Sequence, residues 1–168
     1  IRKYFQPAEY LAEKLISEVY HDFDEDENGY ADADMDLKGL FKNPLNALLL
    51  CVIFEDLDGN LPSNRTKLYV EFVILILRHY ESKNGLSFRD KNRLLVYKKE
   101  LMILGNSALD SLRKQELYFE DHKGEIREIL LMKFGFLSIQ SGFSKRAPYY
   151  RYGFLHKSFQ EFFAGYFL

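Results

Sequence analysis

Asp24, Asp26, Asn28, Tyr30 and Asp32 place oxygen ligands at the first, third, fifth, seventh and ninth positions of a loop that has Gly29 at its sixth. An EF-hand wraps calcium with that spacing, since alternate residues of a tight turn point inward and glycine permits the sharp bend. Phe23 stands just before the loop. The twelfth position, where calcium takes both oxygens of a glutamate, is Met35, the apolar eighth is Ala31, and no second loop of this kind exists to pair with it. A solvated acidic loop is therefore the default for these residues, ahead of weak surface cation binding and, last, calcium binding of high affinity. Two other positions invite a chemical reading. Pro44 follows Asn43, a pairing that starts helices, and by itself it is an ordinary proline in a first turn. His156 stands among Tyr152, Phe154, Phe159 and Phe162, and a lone histidine among aromatics is most often a satisfied core residue.

Catalytic constellations are absent. The chain has no Gly-x-x-x-x-Gly-Lys-Ser/Thr phosphate loop, no His-Glu-x-x-His, no Cys-x-x-Cys and no Gly-x-Ser-x-Gly nucleophile turn. His21, His79, His122 and His156 are scattered without metal-ligand spacing. The chain as given is expected neither to hydrolyse ATP nor to act as an enzyme.

The elements that must position these residues follow from the spacing of apolar side chains. Ala8, Leu11, Ala12, Leu15, Ile16 and Val19 recur every three or four residues with charges between them, which predicts an amphipathic helix over Ala8 to Tyr20, begun by Pro7. His21 to Asp36 lacks any apolar period and reads as an exposed acidic loop. Asn43-Pro44 opens a second helix that is apolar nearly all round from Leu45 to Phe54, so it should be central, and Asp58-Gly59-Asn60 ends it. Ser63 to Thr66 leads into a third stripe, Leu68 to Tyr80, stopped by Asn84-Gly85. A domain boundary is placed there, giving residues 1–83 and 84–168. Leu94 to Leu112 predicts a long helix from about Arg89, bent at Gly105, and Ile126 to Phe134 a shorter one. Phe136 to Gln140 and Tyr150 to Leu155 read as two short strands across a turn. The predicted fold class is mainly α: a small helical bundle followed by a winged-helix domain with one short β-hairpin.

Composition narrows the functional classes. At 168 residues, 47% hydrophobic and 29% charged, the chain can bury a core. Its formal charge of -2, with acids and bases interspersed, leaves no footprint for nucleic acid or an anionic membrane. The helix predicted at Gly124 to Phe134 sets Arg127 and Lys133 against Glu125 and Glu128, too little uncompensated charge for a DNA backbone. No apolar run approaches the roughly 18 to 20 residues that span a bilayer. The single Cys51, inside the run Leu48 to Phe54, excludes an intrachain disulfide and reads as a buried hydrophobe of a soluble, cytoplasmic protein. Asn64-Arg65-Thr66 fits a glycosylation triplet, but no signal peptide supports secretion. The chain begins at Ile1 and ends inside the stripe Phe159, Phe162, Phe163, Tyr166, Phe167, as a piece of a longer protein would.

Lys42-Asn43-Pro44-Leu45, then Leu48 to Cys51, Leu61-Pro62, Arg65-Thr66 and Leu68-Tyr69 leading into Phe72, resembles the first helical domain that follows the nucleotide core of NACHT-type NOD-like receptors. Tyr152 to Ala164, Tyr-Gly-Phe-Leu-His-Lys-Ser-Phe-Gln-Glu-Phe-Phe-Ala, is similar to the end of that family's winged-helix domain. Ile1 to Phe5 resembles the helix that leaves the nucleotide core, so the likeness covers nearly the whole chain, and the acidic loop departs from it.

The resemblance implies roles that the spacing alone does not. The family's proline lies against the adenine ring, and Pro44 matches it; the family's histidine donates a hydrogen bond to the terminal phosphate of ADP, and His156 matches it. Such a bond is worth roughly 1.5 to 3 kcal/mol, enough to bias a two-state closure ten-fold or more. On this reading the chain is a regulatory segment of an intracellular innate immune receptor, and the parent is a slow ATPase switch. It closes over ADP, or opens with ATP for oligomerisation, between a NACHT nucleotide domain upstream and a helical, leucine-rich-repeat-bearing region downstream. No nucleic acid and no membrane span enter this picture. The competing expectation is a helical interaction module whose EF-hand-like loop responds to calcium.

Overall fold

The structure is a computed structural model that describes residues 1–6, 9–21, 37–86, 91–120, 131–141 and 150–167. Its elements run α1 (Glu9–His21), α2 (Leu37–Phe41), α3 (Pro44–Asp56), α4 (Arg65–Lys83), α5 (Arg93–Val96), α6 (Lys98–Arg113), β1 (Tyr118–Glu120), α7 (Leu131–Phe134), β2 (Leu137–Ser141), β3 (Tyr150–Phe154) and α8 (Lys157–Tyr166). The fold is mainly helical with a small three-stranded antiparallel sheet. Two compact units divide it, Ile1–Phe72 and Val73–Leu168, and the dividing line falls within α4 rather than at the Asn84-Gly85 stop where that helix ends. None of the described helices is long and apolar enough to cross a membrane.

In the first unit the stripe read from the sequence is the buried one. Leu11, Ala12, Leu15 and Val19 of α1 are 6% exposed or less, while Glu13 and Lys14 lie outside. Helix α3 buries Leu49, Leu50, Cys51, Ile53 and Phe54, and Phe5 meets Phe54 edge-on at 6.3 Å between ring centroids. Removing a leucine or phenylalanine such as Leu50 or Phe54 from water contributes about 1.5 to 3 kcal/mol each. The helix expected to be central is buried along most of its surface, but Leu48 is 51% exposed and leaves one open flank among the described residues. Apolarity all round a helix states what it tolerates, whereas coverage depends on how many neighbours reach it. The helix ends at Asp56, just before the predicted stop, where Asp58 and Gly59 both take the left-handed region.

In the second unit two sequence expectations are replaced. The long helix expected from about Arg89 is two, α5 and α6, parted at Tyr97, whose backbone leaves the helical region (φ −102°, ψ 21°). The Tyr97 ring is buried edge-on against both Tyr80 and Phe134, at 6.2 and 5.1 Å. Gly105 was expected to bend the helix, yet α6 runs through it unbroken. Its missing side chain instead admits α8: a Cβ there would stand 2.9 Å from the Phe167 carbonyl oxygen and 3.1 Å from that of Phe163. Beneath α5, the Arg93 guanidinium pairs with the buried Glu81 at 2.8 Å.

The sheet also exceeds the expectation of a single hairpin. Strands β2 and β3 pair antiparallel with Leu137 opposite Phe154 and Ser141 opposite Tyr150, and β1 adds itself to the other edge of β3, giving the order β1-β3-β2. Tyr118 faces Gly153 across that added pairing, and a Cβ on Gly153 would meet the Tyr118 ring at 2.7 Å. The glycine is therefore the place where the ring lies down.

Candidate functional site

Both residues singled out for nucleotide contact stand at the first turn of a helix, Pro44 in the first unit and His156 in the second. A helix start leaves its first amide groups without partners, and how each start meets that need decides what the candidate side chain is free to do.

At α3 the need is met by Asn43. Its backbone is extended (φ −100°, ψ 121°) and its Oδ1 accepts the amides of Leu45 at 2.9 Å and Asn46 at 3.1 Å. Pro44 then occupies the first helical position, where its missing N–H costs nothing and its fixed φ suits the turn. Its ring is exposed. Beside it the open flank of α3 lines a cleft of about 370 Å³, formed by Ile1, Lys3, Tyr4, Phe41, Ala47, Leu48 and Cys51. Cys51 is 4% exposed, the buried hydrophobe that its apolar run predicts, and burial pushes its thiol above the usual range. Tyr4 donates to Glu55 Oε2 at 3.0 Å, and burial followed by that carboxylate pushes its hydroxyl up to about 12.

At α8 the capping residue is His156 itself. Extended at φ −150°, ψ 148°, it turns Nδ1 onto the amide of Ser158 at 3.3 Å, and Ser158 Oγ lies 2.7 Å from the same nitrogen. The ring is half-buried, and its Nε2 makes no hydrogen bond among the described residues. Helix α8 is fixed beneath it at two depths. Phe159 and Phe163 pack against Phe136 at 6.4 and 5.1 Å, and Phe163 also stacks on Phe167 at 5.4 Å. Gln160, 1% exposed, donates through Nε2 to Ser111 Oγ at 2.7 Å and to the Glu116 carbonyl at 3.1 Å, tying α8 to the end of α6. A buried amide satisfied this way fixes both the rotation and the depth of the helix.

Within the aromatic stripe Phe159 and Phe163 are buried packing, while Tyr166 is 45% exposed. Sequence reasoning missed that His156 caps its own helix and that Ser158 is its partner. The pattern His-x-Ser immediately before an amphipathic run carries that signal, but histidine is not among the residues by which helix starts are usually recognised.

The calcium candidates Asp24, Asp26, Asn28, Tyr30 and Asp32 lie outside the described residues, as do Arg127 and most of the helix weighed for DNA contact. Among the described residues no group of three or more His, Cys, Asp or Glu side chains stands in a position to hold a metal. No protein-family model matches this chain, and neither does any curated protein sequence.

Proposed function

We propose that the chain is the regulatory helical and winged-helix segment of a NACHT-type NOD-like receptor, with Pro44 placed against adenine and His156 on the terminal phosphate of ADP. The observation that carries this reading is His156: at the start of α8 its Nδ1 is occupied within the chain, while Nε2 makes no hydrogen bond among the described residues. Three further features support it. A three-stranded antiparallel sheet whose first strand lies between α6 and α7 and whose last two pair antiparallel suits a winged helix. Pro44 presents an exposed ring on a start already capped by Asn43, so an apolar contact with a flat base needs no rearrangement. The motif residues from Tyr152 to Ala164 run from β3 into α8, the junction that the resemblance assigns to the latch.

In this mechanism ADP ties both units to an upstream nucleotide domain, and loss of the phosphate contact releases them for oligomerisation. A charge-assisted bond from His156 of about 1.5 to 3 kcal/mol corresponds to a ten-fold or greater shift between closed and open states. The test is His156→Leu in the full-length receptor, read beside His156→Asp, which removes the donor but keeps the cap of α8. ADP affinity should fall by about ten-fold or more, and signalling should appear without stimulus. Unchanged ADP affinity with unchanged dependence on stimulus sinks the latch role.

A further inference from the structure

We propose that Ser158 is a positioning residue for His156, holding the imidazole in the tautomer whose proton sits on Nε2, so that the ring offers an outward donor and selects an anionic or carbonyl oxygen. The inference rests on the proposed function only where it names that oxygen as a phosphate of ADP.

One donor at Nδ1 cannot change roles. The backbone amide of Ser158 points at Nδ1 from 3.3 Å, and a peptide N–H only donates, so Nδ1 must present its lone pair. Ser158 Oγ is 2.7 Å from the same nitrogen. A serine hydroxyl rotates to suit its neighbour, and beside a lone pair already turned towards α8 it donates. Ser158 is only 8% exposed, so its hydroxyl depends on that bond for a partner inside the fold. In the neutral ring the single proton is then on Nε2, the nitrogen with no hydrogen bond among the described residues. Of the two contacts the hydroxyl's is the shorter, and it carries most of the preference.

The consequence is chemical selectivity. A ring in the opposite tautomer would present a lone pair outward and attract donors such as ammonium or amide groups. The ring as held attracts phosphate, carboxylate or carbonyl oxygen. Ser158 touches neither nucleotide nor reacting atoms in this scheme and acts only through His156.

Long-range proton–nitrogen correlation of the histidine side chains, recorded on the whole chain at mildly alkaline pH without nucleotide, reads the tautomer directly. His156 should show a protonated Nε2 and an unprotonated Nδ1. Ser158→Thr, which keeps the hydroxyl, should preserve that pattern. Ser158→Ala should weaken the preference by about five-fold, the worth of one net hydrogen bond, with the remaining α8 amide signals in place to show that the helix is folded. A protonated Nδ1 in the unaltered chain overturns the proposal, and so does an unchanged tautomer ratio in a folded Ser158→Ala. The unaltered chain alone suffices to refute it should Ser158→Ala not fold. Because nucleotide is absent, failure of the latch is a separate outcome: a protonated Nε2 in a receptor whose ADP affinity ignores His156 keeps the tautomer and removes the phosphate.

Discussion

The starts of α3 and α8 answer one need with different divisions of labour. At α3 Asn43 caps and Pro44 shapes the turn, so the exposed proline ring carries no hydrogen bond that the helix depends on. At α8 one residue, His156, both caps the helix and is the candidate for contact. Mutation can therefore separate fold from contact cleanly in the first unit, whereas in the second the replacement must keep the cap while removing the donor. The supports differ as well. Helix α3 leaves Leu48 exposed on an open flank, while α8 is clamped by rings, by a buried glutamine and by the close crossing at Gly105.

The contrast is tested hardest at that clamp. Phe163→Ala removes a fully buried ring that packs against Phe136, Phe154 and Phe167, and calorimetry should show a loss of about 3 to 5 kcal/mol. Gly105→Ala at the same crossing should cost about 1 to 3 kcal/mol and displace the amide signals of α8, since backbone carbonyls have little room to retreat. Unchanged thermal stability in both variants would break the comparison. A smaller effect sharpens it at the two caps. Asn43→Ala should cost about 1 kcal/mol, whereas His156→Asp, which keeps a capping oxygen and suits the positive end of the helix, should cost nothing measurable. If His156→Asp destabilises as much as Asn43→Ala, the ring contributes more to the fold than capping.

The smallest expected effect is alkaline. Burial first, then Glu81, pushes the Tyr97 hydroxyl from 10.0 up to about 12. The folded state holds that proton more tightly than the unfolded one, so the contribution is complete below pH 10 and is lost as pH rises from 10 towards 12. Tyr4 shares the raised value but is 37% exposed against 5% for Tyr97. Melting temperature should therefore be flat to pH 10 and then fall, and Tyr97→Phe should flatten that fall more than Tyr4→Phe.

Much of the architecture was readable because caps and stops are local. Asn43-Pro44, the entry from Ser63 to Thr66, Asp58-Gly59 and Asn84-Gly85 each act on the nearest few peptide groups, and the helices begin or end close to them. What was misread depends on residues distant in sequence. Strand β1 is three residues long, too short to show alternation, and exists by pairing with β3. The break at Tyr97 coincides with a ring set against Tyr80 and Phe134, and no glycine or proline announces it. Gly105 illustrates a real ambiguity, since a glycine in a helical pattern permits either a bend or a close neighbour, and only the neighbour decides. At the candidate site the positions Pro44 and His156 could be named from the motif, but the cap geometry and the part of Ser158 needed the coordinates.

The order β1-β3-β2 also carries a consequence for the route by which the second unit assembles. Strands β2 and β3 are separated only by residues 142–149, while β1 must wait for the whole stretch 121–149 to close. The entropy of closing a loop rises with its length, and distant pairings form later for that reason. The hairpin should thus be the early piece and β1 the late one, with Tyr118 settling onto Gly153 as a last latch of folding. A stopped-flow signal from Tyr118 should then lag one from Tyr152, so that the ring over the glycine times the completion of the sheet.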